Sequence, residues 1–201
     1  MATPAYIGVN EGTGKQLACS TYTENSQIVF DQKVIPGEPY IPTYSITTAT
    51  VTVGTTAGSH LLEIMAGGAL NVRLRRFQII GFDYPATAQK SQFGLYRLTT
   101  AGTGGTVLTP SPADPADTAG ATAMTLPTSK GTETTLLLSG RIEWAGGTPL
   151  TSGYMWEWSQ LPNAKPIIIP VGAANGLAFK NIAAVVATSF LFNIEFQETS
   201  F

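Results

Sequence analysis

The strongest constraint in this chain is a period of two. From Leu70 to Phe82, Val72 and Leu74 alternate with Arg73 and Arg75, and Phe77, Ile79 and Ile80 close the run. From Ser91 to Thr99, Phe93, Leu95 and Arg97 alternate with Gly94, Tyr96 and Leu98. Further on, Phe190, Phe192, Ile194 and Phe196 alternate with Asn193, Glu195 and Gln197. Such alternation places every second side chain on one buried face of a strand. No stretch carries a helical period. The expected fold is all-β: an antiparallel β-sandwich of about eight to ten strands, with turn signals at sandwich-like spacing.

Residues 1–45 read as an extended N-terminal arm. They hold Pro4, Pro36, Pro39 and Pro42 and two short edge strands, 16–22 and 27–35. Proline has no N–H and a fixed φ, so 35–43 cannot ladder regularly. Residues 46–201 read as the sandwich, with strands at 46–53, 61–65, 70–82, 91–99, 132–144, 153–160, 165–170, 177–182 and 183–197. The connector 83–90 is a hairpin loop around Pro85, the 146–149 segment is a turn, and Asn175-Gly176 is a hairpin signal. The segment 101–131 stands apart. It has Gly102, Gly104, Gly105, Pro110, Pro112, Pro115, Gly120 and Pro127, yet it also carries Val107, Leu108, Met124 and Leu126. A segment this long inside a compact domain is functional or disordered as a rule. Its low charge and apolar residues favour order, through packing on the domain or on a partner.

Charge narrows the partners. Charged residues make up 12% of the chain, against roughly 25% in an ordinary soluble domain. Threonine is abundant, at 28 residues. A surface poor in charge and rich in Thr and Ala is expected to be covered by neighbours, because interface cores shed Lys, Glu and Asp. The net charge of −2 includes no basic run, so no nucleic-acid partner is expected. Arg73, Arg75 and Arg76 are the only cluster, and period two puts Arg76 on the face opposite the other two. No apolar run approaches the roughly 20 residues of a bilayer span, so no membrane partner is expected. The N-terminus carries no secretory signal pattern. Cys19 is the only cysteine, which excludes an intrachain disulfide and fits folding in a reducing compartment.

Catalytic and metal chemistry find few carriers. His60 is the only histidine, and Ser59 beside it points away on a strand, so no nucleophile–base pair is marked. One His and one Cys cannot build a zinc site. Asp114 and Asp117 are too few for the six to eight oxygens of calcium, and read better as caps of a turn. Gly102-Thr103-Gly104-Gly105 lacks the Lys-Ser/Thr ending and the following helix of a phosphate loop. Glu143 and Glu157 are the only strand-borne carboxylates worth testing as a pair. The expectation is a non-enzymatic protein with no catalytic residues, no cofactor and no metal. Tyr154, Trp156 and Trp158 share a strand face, and fill either the core, a subunit interface or a glycan platform. Together with Arg73, Arg75, Val107, Leu108 and Met124 they are the candidate interface residues.

Two stretches carry a resemblance. Gly14-Lys15-Gln16-Leu17-Ala18, leading to Gln27-Ile28-Val29-Phe30, is similar to a segment common near the N-terminus of tailed-bacteriophage virion proteins. Cys19-Ser20 stands where that pattern has Thr-Asp, and its His-Tyr pair is absent. The run from Arg97 to Thr106, with Asp114-Pro115-Ala116-Asp117 and Ala121 to Pro127, resembles a segment of tailed-phage head-region proteins. The resemblance implies a virion structural protein of jelly-roll type that decorates or cements the capsid. By the same resemblance its partner is the major capsid protein, its assembly a homotrimer and its place the capsid exterior, after synthesis in the host cytoplasm. The alternative is a receptor- or glycan-binding β-sandwich module of the tail or baseplate.

Overall fold

The computed structural model describes residues 5–8, 16–24, 27–32, 41–53, 57–81, 89–144, 153–157, 165–183 and 188–200. The chain divides into two units, Met1–Tyr40 and Ile41–Phe201. In the first, β1 (Ala5–Gly8), β2 (Gln16–Glu24) and β3 (Gln27–Gln32) form an antiparallel sheet in the order β1-β2-β3. Cys19 sits on β2, paired with Ala5 on one side and Gln32 on the other.

The second unit contains β4 (Thr43–Thr47), β5 (Val51–Val53), β6 (His60–Met65), β7 (Asn71–Gly81) and β8 (Gln89–Leu98). Then come β9 (Thr106–Leu108), β10 (Ser111–Pro112), β11 (Thr122–Thr125) and β12 (Glu133–Trp144). The last four are β13 (Gly153–Glu157), β14 (Ile168–Ile169), β15 (Gly176–Asn181) and β16 (Thr188–Thr199). No helix occurs among the described residues. One sheet runs β10-β4-β16-β7-β13, with β5 beside β16 and β14 beside β7. The other runs β12-β8-β15-β6-β11-β9. All pairings are antiparallel. The two sheets pack face to face as a β-sandwich.

The alternating strands supply the core. Phe190, Phe192, Ile194 and Phe196 of β16 are buried, as are Val72, Leu74, Phe77 and Ile79 of β7. The rings meet between the sheets around Phe179 of β15. Its centroid lies 4.7 Å from Phe77, 5.2 Å from Phe192 and 5.4 Å from Phe93. Each fully buried ring of this kind stabilises by roughly 1.5–3 kcal/mol. Arg97 also crosses the layer, and its guanidinium donates from Nη1 to the Ile168 carbonyl of the opposite sheet at 2.8 Å.

Three expectations are corrected. The sandwich starts before residue 46: Tyr44 and Ile46 alternate as buried residues of β4 and pair with Phe196 and Ile194 of β16. The prolines just upstream hide that strand, because its first inward residue lies only two positions beyond Pro42. Second, Arg76 does not face the opposite side from Arg75. Between Glu195 and Phe196 the register slips, so Glu195 faces Arg76 while Phe196 faces Leu74. This bulge lets Arg75 and Arg76 both lie off the core, and Phe77 resumes the inward phase. Third, Asn175-Gly176 closes no hairpin. Asn175 N–H donates to the Gly172 carbonyl at 2.8 Å, and this turn carries the chain from β14 in one sheet to β15 in the other. Of the expected 83–90 loop, Gln89 and Lys90 belong to β8 instead, while 83–88, the 146–149 turn, Pro36, Pro39 and Trp158 lie outside the described residues.

Candidate functional site

The segment 101–131 is ordered, and buried carboxylates order it. Its strands are short. β9 and β11 extend the six-stranded sheet beyond β6, with Val107 opposite Met124 and Met124 opposite Glu63. β10 adds to β4 of the other sheet through Ser111 and Pro112. Between these strands the backbone has many amides and few ladder partners, which must find acceptors elsewhere.

Glu63 supplies one set. A bulge in β6 explains why it can. Phe179 pairs with Leu62 but Lys180 pairs with His60, so Leu61 and Leu62 both enter the core. The extra residue returns His60 to the outer face of the sheet, beside Glu63. The flanks of the long segment cover that face, where Thr103 bridges Ser129 in an isolated antiparallel pair. Glu63 is then 2% exposed and His60 1%. Glu63 Oε2 accepts from Gly102 N–H at 2.6 Å, and Oε1 accepts from Gly131 N–H at 2.9 Å. Both glycines are required by space. A Cβ at Gly102 would stand 2.8 Å from Glu63 Oε1 and 2.7 Å from the Ser129 carbonyl oxygen, and one at Gly131 would meet the Thr100 carbonyl oxygen.

His60 completes the cluster. Its Nδ1 lies 2.6 Å from Glu63 Oε1, and its Nε2 lies 2.9 Å from Glu133 Oε1 on β12. Glu133 Oε2 accepts from Lys180 Nζ at 2.6 Å, and Lys130 Nζ approaches Glu133 Oε1 at 3.6 Å. Burial pushes the Glu63 carboxyl up. The His60 hydrogen bond, the amides of Gly131 and Gly102 and the charge of His60 outweigh it, and hold that carboxyl below the ordinary range. Glu133 follows the same pattern: burial raises it, while Lys180 and His60 bring it below the ordinary value.

Glu198 supplies the second set, from β16 of the opposite sheet. Its Oε2 accepts from Gly120 N–H at 3.0 Å and its Oε1 from Ala121 N–H at 2.6 Å. Burial raises the Tyr44 phenol above its ordinary value, and the nearby Glu198 and Asp117 charges add to that. Two acids on two sheets therefore hold the long segment at three places.

Held in this way, the segment displays apolar side chains. Val107 is 68% exposed and Leu126 43%. Leu126 has φ 48°, a left-handed conformation in which its Cβ crowds the backbone. Beside Val107, a groove of about 240 Å³ is lined by Met65, Ala101, Thr122 and Met124. Of the other candidate interface residues, Leu108 is half-buried and packs on the core. Arg73 and Arg75 are half-buried on β7. Tyr154 lies on β13 opposite Ile79, and Trp156 opposite Phe77. The Trp156 ring lies 5.4 Å from Phe77 at a tilt of 46° and packs against the core, so it offers no free platform. Asp114 caps its own turn, with Oδ1 accepting from Ala116 N–H at 3.0 Å. Glu143 pairs with Arg141 at 2.7 Å. Among the described residues, no group of three or more His, Cys, Asp or Glu is placed to hold a metal.

The carboxylates are what sequence reasoning missed. The signals were present. Glu63 is a lone acid inside LLEIM, an apolar run that a charge enters only when paired. Glu198 continues the inward phase of Phe192, Ile194 and Phe196. No family model matches the chain, and no curated protein or solved structure matches it.

Proposed function

We propose that this chain is a non-enzymatic virion structural protein of a tailed bacteriophage, decorating or cementing the capsid from its exterior by bridging neighbouring major capsid subunits. The observation that carries the proposal is the display of Val107 and Leu126 on a segment fastened to both sheets by buried acids. An exposed leucine on left-handed backbone costs roughly 1–2 kcal/mol relative to a relaxed conformation. Such strain is retained for what the side chain touches. Contact through this surface would bury apolar and threonine-rich area without desolvating charge, which suits a sequence with only 12% charged residues.

A jelly roll is the finer fold in this proposal. The eight main strands in chain order are β4, β6, β7, β8, β12, β13, β15 and β16. Numbered one to eight, they give sheets in the orders 1-8-3-6 and 2-7-4-5, which supports that topology. A homotrimer is the proposed assembly. His60 also argues against acid–base chemistry at this site, because both ring nitrogens face carboxylates and the ring is buried.

The test is co-sedimentation with assembled phage capsids and with unassembled capsid protein. Binding to the shell alone, lost in a Val107→Asp/Leu126→Asp double variant that still folds, is the expected result. A wild-type protein that stays in the supernatant with shells overturns the reading.

A further inference from the structure

We infer that His60, Glu63, Glu133 and Lys180 form a proton-dependent latch: the doubly protonated His60 ring joins β6 to β12 and holds Glu63 in place to fasten both flanks of the 101–131 segment. This is independent of what the protein binds.

The argument begins with donor and acceptor counts. An ionised carboxylate only accepts. A neutral imidazole has one N–H and one bare nitrogen. Here Nδ1 faces Glu63 Oε1 at 2.6 Å and Nε2 faces Glu133 Oε1 at 2.9 Å. Both contacts are hydrogen bonds only when both nitrogens carry protons. Remove one proton and a lone pair on the buried ring faces a carboxylate oxygen, and at Glu63, itself buried, that repulsion is poorly screened.

The consequence reaches the backbone because Glu63 is shared. Its Oε1 accepts from His60 and from Gly131 N–H, and its Oε2 accepts from Gly102 N–H. The two amides lie 29 residues apart at opposite ends of the long segment, and one carboxylate staples them (131 − 102 = 29). A Glu63 carboxylate pushed away by a bare nitrogen lets go of both. The remaining groups facing the cluster are Glu133 from β12, Lys180 from β15, Lys130 from the segment itself and Tyr96 from β8, whose ring lies 4.8 Å under Lys180 Nζ. Lys180 and Lys130 both sit on Glu133 and neither reaches Glu63, so among the described residues the only side chain donating to Glu63 is the His60 ring, through Nδ1–H.

The chain has one histidine, so its ring nitrogens give unambiguous signals in two-bond 1H–15N spectra. In the wild-type protein both nitrogens are expected to be protonated wherever Gly102 and Gly131 amides are protected from hydrogen exchange. Where the ring has lost one of its protons, protection at those two amides should be roughly tenfold lower, while Phe77 and Phe192 amides stay protected. Glu133→Gln, at a partly exposed position, keeps the shape and removes one reason for the second ring proton. Protection of Gly102 and Gly131 should then be weaker than in the wild-type protein at the same pH. A neutral ring with Gly102 and Gly131 still protected overturns the latch, and so does unchanged protection of those amides in Glu133→Gln.

Discussion

Replacing Glu198 by glutamine exchanges one oxygen for an NH2 group and removes one acceptor from a closed site. The carboxylate receives Gly120 N–H on one oxygen and Ala121 N–H on the other. A glutamine has one oxygen and one NH2. Whichever way the amide turns, one backbone N–H then faces another donor, and the residue is only 3% exposed, so water does not replace the lost partner. A hydrogen bond to a charged group contributes roughly 1.5–3 kcal/mol, and an orphaned buried donor costs about 1–3 kcal/mol. The surviving bond also falls to about half its strength once the charge is gone. The neutral amide is cheaper to bury, which offsets part of this. The expected loss is about 3 kcal/mol, or a fall in Tm of about 6–12 °C for a domain of this size. Urea unfolding followed by near-UV circular dichroism reads it. A second readout is local: burial and the charges of Glu198 and Asp117 raise the Tyr44 phenol, so Glu198→Gln should let it ionise at lower pH. If Glu198→Gln loses less than about 0.5 kcal/mol and Tyr44 titrates unchanged, the carboxylate does not hold the segment.

Acid should weaken the sandwich through the other carboxylate site. Glu63 and Glu133 are both held below the ordinary glutamate value of 4.5, so their contribution is complete above that value and is lost as pH falls through their folded-state values. Urea midpoints measured downward from pH 5 should drop, and Glu63→Gln should flatten the curve; an equally steep curve in the variant would refute the assignment. Phe179→Ala should cost about 3–5 kcal/mol, because three rings lose their common neighbour between the sheets. Equilibrium unfolding tests this, and a loss under about 1 kcal/mol would show that the core collapses around the gap. Leu126→Gly should be neutral or stabilise by up to about 1 kcal/mol, since glycine relieves the left-handed strain at some entropic cost. A clear loss in thermal denaturation would mean that the leucine side chain serves the fold itself.

The sandwich was legible in the sequence because period two survives any number of tertiary contacts. β7, β8 and β16 follow from their own residues, and so do the inward phenylalanines of β16. What escaped were changes of phase. The bulge at Arg75 and the one after His60 are set by the partner strand, so neither has a local signature. The buried acids escaped for a related reason. Glu63 finds its partners 39 and 68 residues away, and they are backbone amides of glycines, which carry no chemical label. His60 looked idle because its second carboxylate, Glu133, lies 73 residues on. β9 and β11 were hidden by length, since three or four residues between glycines and prolines give no period to read.

The position of β16 has a consequence for how the molecule is made. This strand, residues 188–199, lies between β4 and β7, whose residues leave the ribosome more than 100 positions earlier. At roughly 5–20 residues per second, β4 and β7 wait several seconds or longer before their shared neighbour exists. Until then both present open edges of unpaired N–H and C=O groups, the feature that drives strands of different chains together. Folding of the seven-stranded sheet is therefore a late event with long-range pairing, slow by the logic of contact order. A polypeptide interrupted before residue 188 is an aggregation hazard rather than a slightly weaker sandwich.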